Sequence, residues 1–207
     1  MTYPDDFINK VINADCLEVM KQMPDKCVDL VLTDPPYGLG DRLSDGGGKL
    51  KNTPMAVLYR ESEWEDKLPS QEVFNEIFRI SKNQVICGGN YFLLPPTRCF
   101  IAWDKKQAMP TLSACEYIWT SFDRPAKLFS VSSTDLNRQH PTQKPIELIK
   151  YLIGKFSEEN TTILDCFLGS GTTAVAAKQL GRNFIGIELS EKYCKIAEER
   201  LRQDILL

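Results

Sequence analysis

Four consecutive residues, Asp34, Pro35, Pro36 and Tyr37, combine the chemical groups needed to hold a planar amine. A carboxylate and a backbone carbonyl only accept hydrogen bonds, so together they can bind both hydrogens of an –NH2 group. The two prolines contribute no competing N–H donors, and the tyrosine ring can stack on a planar base. The motif therefore fits the exocyclic amine of a nucleobase. It fits equally well a proline-rich turn with a half-buried tyrosine and no ligand.

The residues before this motif predict how it is positioned. Residues 28–32 form an apolar run that is typical of a buried strand. Two prolines cannot continue the hydrogen-bond ladder of a strand, so the chain must turn out of the sheet there. We therefore expect the motif at the carboxyl end of a strand, which is where ligands bind in open α/β sheets.

A second stretch with binding chemistry lies late in the chain, at residues 162–174. It predicts a strand, a glycine turn and a helix, with Gly169, Gly171 and Ala174 in the spacing of a nucleotide-binding turn. The glycines let the backbone approach a ligand closely, and the helix N-terminus favours an anionic group. Glu188 ends the next predicted strand, close to where an acid binds a ribose diol. NAD and S-adenosylmethionine both satisfy this pattern, as does a tight strand-to-helix packing turn without a ligand.

The remaining sequence predicts the elements that hold these two stretches. Strands alternate with helices, which favours an α/β fold with a mostly parallel sheet. Two consecutive strands, 98–103 and 115–122, have no helix between them and predict one antiparallel strand. The other strands are expected at 7–13, 28–33, 84–87, 162–166 and 183–187, and the helices at 16–23, 70–81, 145–156, 171–180 and 190–201.

The composition bounds the class of protein. The chain has 207 residues, enough for one sizeable core, and a net charge of −3, which argues against tight nonspecific binding to nucleic acid. Residues 124–155 nevertheless carry six basic and two acidic residues, compatible with a phosphate backbone or with a solvated surface. Seven cysteines without a Cys-x-x-Cys pair fit reduced thiols, and a single histidine argues against zinc. Without a signal peptide or a long apolar run, a cytoplasmic location is expected.

The two stretches, in this order, resemble the amino-methyltransferases of DNA in their circularly permuted arrangement, with the amine-binding motif before the cofactor motif. The resemblance covers nearly the whole chain. It implies a Rossmann-like methyltransferase fold, S-adenosylmethionine as cofactor, and methylation of a flipped base in DNA. Asp34, where some relatives have serine, implies adenine N6 as the acceptor. Cytosine N4, or an amine in RNA or protein, is the alternative.

The resemblance also assigns roles to individual residues. Asp34, Pro35, Pro36 and Tyr37 correspond to the catalytic motif, with Asp34 close to the cofactor as well. Asp15 and Cys16 correspond to the segment that binds the adenine of the cofactor, and Glu188 to the acid that binds its ribose. The methionine end of the cofactor is expected at His140, Thr142, Gln143, Lys144, Asp165, Phe167, Gly169, Ser170, Gly171, Thr172 and Thr173.

Substrate recognition is the least constrained expectation. Residues 1–207 are expected to form a single methyltransferase domain, with no stretch long enough for a separate target-recognition domain. Contacts with DNA would then come from residues 38–69 and 123–139. The first of these predicts a long loop that acts as a lid or is a plain insertion. The resemblance implies that homodimers are common. Two other functions are less well supported by the sequence. In a nucleotide-dependent oxidoreductase the Asp34 motif would have no function, and a non-catalytic nucleic-acid-binding partner would not require this motif.

Overall fold

The computed structural model describes residues 1–38, 68–107, 113–133, 139 and 142–203. All strands of these residues belong to one sheet, and helices lie on both of its faces. A 3₁₀ turn at Gly89–Tyr91 follows the third strand. The strands are β1 (Lys10–Asn13), β2 (Val28–Thr33), β3 (Ser81–Cys87), β4 (Phe100–Asp104), β5 (Cys115–Thr120), β6 (Lys127–Ser130), β7 (Thr162–Asp165) and β8 (Asn183–Glu188), and the helices are α1 (Cys16–Met20), α2 (Gln71–Ile80), α3 (Ile146–Phe156), α4 (Thr172–Gln179) and α5 (Glu191–Gln203).

The sheet has the strand order β1-β8-β7-β2-β3-β5-β4-β6. Strand β5 runs antiparallel to both of its neighbours, β3 and β4. Every other pair of neighbouring strands is parallel. The prediction of a mostly parallel sheet with one antiparallel strand is therefore confirmed.

Strand β2 lies in the middle of the sheet and contributes to the core on both faces. Its side chains alternate, so Leu30 and Leu32 pack in the cluster that includes α3 and α4, whereas Val31 packs in the cluster that includes α1 and α2. All three are at most 1% exposed. A strand buried on both faces is continuously apolar, which explains why residues 28–32 were recognisable as a strand.

The order in which the chain adds strands to the sheet reverses between β7 and β2. From β2 the chain proceeds to β3 on one side, and from β7 it proceeds to β8 on the other. Leu30 pairs with Ile163 and Val31 with Leu164, so the carboxyl ends of the two strands lie side by side. Ligands of open α/β sheets bind in the crevice at such a switch point. We call residues 34–37 the proline corner and residues 165–173 the glycine corner.

Some predicted boundaries differ from the structure. Helix α1 ends at Met20 rather than Met23, and β1 begins at Lys10. Strand β6 was not predicted at all, because its residues are largely exposed and lack an apolar face. It pairs with β4 at the end of the sheet, and short edge strands are held more by backbone pairing than by burial.

Two expectations concern parts of the chain outside the described residues. The predicted lid, residues 38–69, lies outside the described residues except at its two ends, and His140 also lies outside them.

No helix among the described residues combines the length and the apolar character that crossing a bilayer requires.

Candidate functional site

A cavity of about 770 Å³ lies at the switch point, between the proline corner and the glycine corner. Its volume is within the range of small-molecule and cofactor sites. Most of the residues predicted to bind the cofactor contribute to its wall. Among them are Asp15, Cys16, Asp34, Thr142, Gln143, Lys144, Asp165, Phe167, Gly169, Ser170, Thr172, Thr173 and Glu188, and Pro36 of the predicted catalytic motif also borders the cavity. The structure thus brings together residues that are far apart in the sequence.

Asp34 borders the cavity, and its carboxylate is also bound by two other side chains, Lys144 and Tyr37. The ammonium of Lys144 donates to Asp34 Oδ2 at 2.6 Å, and the hydroxyl of Tyr37 lies 2.5 Å from Asp34 Oδ1. Each carboxylate oxygen can accept a further hydrogen bond. The side chain of Asp34 is 22% exposed, so it can still accept from a ligand in the cavity.

Tyr37 is placed differently from what its expected role suggests. Its ring is stacked on Tyr91, with 4.8 Å between centroids and 13° between planes, and it packs tightly against Gly88. Its hydroxyl reaches Glu116 Oε1 at 2.9 Å as well as Asp34. Neither Tyr37 nor Pro35 contributes to the cavity wall. The hydroxyl therefore has partners that the motif did not reveal.

A buried cluster of charges surrounds this hydroxyl. Glu116 on β5 binds Lys144 at 3.2 Å and Lys105 at 2.9 Å, and the side chains of Glu116 and Lys144 are 8% and 9% exposed. The side chains of Asp34, Cys87 and Glu116 lie close enough together to suit a metal ion. Lys144 already supplies a positive charge between the two carboxylates, so no metal is needed to balance them.

Burial and charge act against each other on the ionisation of these groups. Burial raises the pKa of the Asp34 carboxyl; Lys144 opposes this effect and Glu116 adds to it. Burial would also raise the pKa of Glu116, but Lys144 and Lys105 together hold it below its usual value. The pKa of the Tyr37 hydroxyl is raised well above its ordinary value by burial and by the two carboxylates. The hydroxyl therefore remains a proton donor.

The glycine corner is held mainly by backbone groups. Gly169 and Gly171 both have positive φ, 55° and 85°, which favours glycine strongly. The N–H of Gly169 donates to Glu188 Oε2 and the N–H of Ser190 to Oε1, both at 2.8 Å. A side chain at residue 171 would lie 2.7 Å from the Cβ of Ala197 on α5. The turn therefore has room only for backbone on this side.

Asp165 connects the two corners. Its Oδ1 accepts from the hydroxyl of Thr33, the last residue of β2, at 2.8 Å and from the N–H of Phe167 at 3.1 Å. Burial raises the pKa of the Asp165 carboxyl to about 6. These contacts fix the strand ends relative to each other across the switch point.

The segment before α3 contacts the glycine corner through side chains. The hydroxyl of Ser170 donates to Gln143 Oε1 at 2.9 Å. From the other side, Arg200 on α5 donates to the carbonyl of Ser170 at 2.6 Å and lies 3.2 Å from the hydroxyl of Thr172. Arg200 therefore braces the turn, a role that no motif indicated.

Asp15 is the N-cap of α1, as its position before an apolar helical pattern predicted. Its Oδ1 accepts from the N–H groups of Leu17 and Glu18, at 2.8 and 3.2 Å. Both of these hydrogen bonds use Oδ1, and the residue borders the cavity. The neighbouring Cys16 thiol is half-buried, and burial raises its pKa to about 12. This thiol is therefore neutral near pH 7.

No sequence motif indicated the four residues Glu116, Lys105, Tyr91 and Arg200. The signal for Glu116 was present, since it is a single acid in an otherwise apolar strand. The sequence did not show that β5 lies beside β3, next to the proline corner, so Glu116 could not be placed near the site. Lys144 was expected at the methionine end of the cofactor, and the structure places its ammonium on Asp34.

Sequence comparisons relate the chain to known methylases. A family model described as DNA methylase matches residues 101–199, a range that includes the glycine corner. The Escherichia coli (strain K12) protein named Putative methylase YubD is 32% identical over 94% of this chain and 90% of its own length. The Type II methyltransferase M2.DpnII of Streptococcus pneumoniae is 28% identical over 99% of this chain and 94% of its own length.

Solved structures share the fold at lower identity. A complex of M1.HpyAVI with S-adenosylmethionine matches with a TM-score of 0.60 and 24% identity, covering 93% of this chain and 98% of that one. The cytosine-N4-specific PvuII DNA methyltransferase matches with a TM-score of 0.65 and 17% identity, covering 92% and 85%. These two likenesses indicate the methyltransferase fold.

Proposed function

Because the chain belongs to the DNA methylase family that modifies the exocyclic amines of bases, we propose that it transfers a methyl group to adenine N6 in DNA. One observation carries this proposal. The Asp34 carboxylate and the glycine corner border the same cavity, and the hydrogen bond from Thr33 to Asp165 joins their strand ends. A one-carbon group could pass between ligands bound at the two corners.

The residues around the cavity fit S-adenosylmethionine, which M1.HpyAVI binds in its complex. When bound, this cofactor supplies a methyl group that a nitrogen lone pair can attack. Glu188, with both oxygens fixed by backbone N–H groups, would accept from the ribose hydroxyls. Asp15 would accept from the adenine amine of the cofactor. Thr142, Gln143 and the glycine corner would hold the methionine end.

Asp34 and the Pro35 carbonyl would accept the two hydrogens of the target amine. With both hydrogens held, the nitrogen lone pair has a single orientation, and this preorganisation is the main contribution of the protein to the rate. As the bond to nitrogen forms, the bond between the methyl carbon and the cofactor sulfur would break, leaving a neutral thioether, and the nitrogen would then release one proton to solvent. Base stacking on Tyr37 remains a prediction, and because Tyr91 is stacked on the ring, it would require the opposite ring face or displacement of Tyr91.

Adenine is preferred over cytosine because the motif begins with aspartate, by resemblance only. The specific observation in favour of cytosine N4 is the fold match to the PvuII enzyme. Cytosine N4 is therefore the second candidate acceptor. Both acceptors are exocyclic amines, so the same pair of hydrogen-bond acceptors serves either base.

DNA would contact residues 38–69 and 123–139, with the target base flipped out of its stack at a cost of a few kcal/mol. Lys144 is buried and bound to carboxylates, so it does not add to a phosphate-binding surface. The expected homodimer remains a prediction.

The experiment that tests the proposal is incubation of the protein with labelled S-adenosylmethionine and, separately, DNA, RNA and a protein mixture. Label in DNA alone is expected. Label in RNA or protein alone would replace the proposed substrate. The absence of label in all three, with normal cofactor binding, would favour a non-catalytic nucleic-acid-binding partner.

A further inference from the structure

Glu116 lies outside every motif that the proposed function uses, yet its carboxylate contacts Lys144, Lys105 and the Tyr37 hydroxyl. It lies on β5, the antiparallel strand, and is buried. Its Oε1 is 3.2 Å from the ammonium of Lys144 and 2.9 Å from the hydroxyl of Tyr37, and its Oε2 is 2.9 Å from Lys105. Burying a carboxylate is costly unless such partners compensate it. Glu116 does not itself border the cavity.

The charges in this cluster balance. Two carboxylates, Asp34 and Glu116, face two ammonium groups, Lys144 and Lys105. Lys144 forms an ion pair with both carboxylates. Among the ion pairs of the described residues, Lys105 pairs only with Glu116. Removal of one member therefore leaves an uncompensated buried charge next to Asp34.

The hydroxyl of Tyr37 adds a second constraint. It lies within hydrogen-bond distance of both carboxylates, 2.5 Å from Asp34 and 2.9 Å from Glu116, but it has one hydrogen to donate. Lys144 lies 3.3 Å from the same hydroxyl oxygen. The orientation of Asp34 thus depends on how Glu116 and Lys144 share this hydrogen-bond network.

We propose that Glu116 is a positioning residue for methyl transfer, which acts through Lys144 and the Tyr37 hydroxyl to fix the orientation and the charge of the Asp34 carboxylate. The inference rests on the proposed function. An ionised and correctly aimed carboxylate is a stronger acceptor of amine hydrogens than a protonated one, and Asp34 is surrounded by groups that determine both its charge and its orientation. Lys144, on this account, serves the reacting carboxylate rather than the cofactor.

The test is the pH dependence of kcat in two variants with opposite charge changes. Lys144→Met removes a positive charge, so Asp34 holds its proton to higher pH and the acidic limb of the profile shifts to higher pH. Glu116→Gln removes a negative charge, and the limb shifts to lower pH. We expect kcat to fall about 10- to 100-fold in Lys144→Met, the scale of losing a hydrogen bond to a charged group. A smaller loss is expected in Glu116→Gln.

Two further variants separate positioning from stability. The double variant Glu116→Gln/Lys144→Met restores charge balance, with one carboxylate and one ammonium left, so its acidic limb should return toward that of the wild type. Glu76→Gln is the matched control, because Glu76 is also a poorly exposed carboxylate in an ion pair, with Arg79 on α2, away from the cavity. This control variant should leave the acidic limb of the kcat–pH profile unchanged.

A readout without activity comes from the Asp34 carboxyl carbon, titrated by NMR in the cofactor-free protein. Its midpoint should move upward in Lys144→Met and downward in Glu116→Gln. Assignment to Asp34 matters because several other titratable groups face it, namely Tyr37, Cys87 on β3, Glu116 on β5, Lys144 before α3 and Asp165 on β7.

The outcomes distinguish the inference from the proposed function. Shifts of the same sign, or none, in folded variants of an active enzyme overturn the positioning role. If the cofactor dissociation constant of Lys144→Met rises more than about tenfold, which corresponds to 1.4 kcal/mol, and kcat is retained, Lys144 binds the cofactor and does not position Asp34. A wild type that methylates no DNA at any pH refutes the proposed function, and the NMR midpoints still decide whether Glu116 and Lys144 control Asp34.

Discussion

The proline corner and the glycine corner occupy neighbouring strand ends but are stabilised by different interactions. At the glycine corner, positive-φ glycines and backbone N–H groups bind Glu188 directly. At the proline corner, the Asp34 carboxylate is held by the nearby side chain of Tyr37 and by Lys144 and Glu116 from distant parts of the chain, with Glu116 contacting both Lys144 and Tyr37. One corner is built from local backbone geometry and the other from long-range charge pairs.

This difference suggests how the two corners respond to change. The backbone N–H groups at the glycine corner do not titrate, so cofactor binding there should depend on pH mainly through two carboxyls, Asp165, whose pKa burial raises to about 6, and Glu188, whose pKa burial also raises. The charge cluster around Asp34 does titrate, and each member alters the others. We therefore expect substitutions at the proline corner to alter turnover and its pH dependence, and substitutions at the glycine corner to alter cofactor affinity and stability.

The largest effect is expected for Asp34→Ala. Loss of the acceptor for the amine hydrogens should lower turnover about 1000-fold or more, within the range of lost acid–base contributions. The dissociation constant for S-adenosylmethionine, measured by calorimetry, should change little because Glu188 and the glycine corner are intact. Turnover close to that of the wild type would remove Asp34 from the reaction.

The glycine corner is tested by Gly171→Ala. A side chain at φ 85° is strained, and its Cβ would lie 2.7 Å from Ala197, so we expect a loss of about 2 kcal/mol in the free energy of unfolding and weaker cofactor binding. Urea denaturation and calorimetry measure the two effects. Turnover at saturating cofactor should be retained.

The matched control is Gly181→Ala, which has a φ of 71° but nothing within 4 Å of the added Cβ. It should cost about 1 kcal/mol through backbone strain alone and leave cofactor affinity unchanged. Equal loss of affinity in the two variants would mean that strain, and not the contact between α5 and the turn, determines binding.

The smallest effect is expected for Tyr37→Phe. The ring and its stacking on Tyr91 remain, but the hydroxyl contacts with Asp34 and Glu116 are lost, so turnover should fall about tenfold, near the value of one hydrogen bond to a charged group. Tyr3→Phe is the control, because its hydroxyl donates to the carbonyl of Cys27, outside the cavity. Unchanged turnover in Tyr37→Phe would show that the hydroxyl is dispensable.

The sequence predicted the parts of the molecule that depend on local patterns. The glycine turn, the cap at Asp15 and the buried strand β2 each follow from neighbouring residues, and the structure contains all three. The antiparallel direction of β5 followed from the missing helix before it. A mostly parallel sheet was an expectation from the alternation of strands and helices, and the parallel pairing of β2 with β7 is part of it.

The long-range contacts could not be predicted in the same way. Asp34 and Lys144 are separated by 110 positions, and the sequence predicted Lys144 at the methionine end of the cofactor, not on Asp34. Glu116 is the single acid of strand β5, but only the position of β5 beside β3 shows that this acid faces the proline corner and not solvent. Strand β6 was missed because an exposed edge strand leaves no apolar alternation.

The most direct test of methyl transfer at the proline corner is mass spectrometry of DNA that has been incubated with the protein and isotope-labelled S-adenosylmethionine, then digested to nucleosides. We predict labelled N6-methyladenine with the wild type and none with Asp34→Ala. Label on a ring carbon such as cytosine C5, or equal labelling by the wild type and Asp34→Ala, would contradict the account.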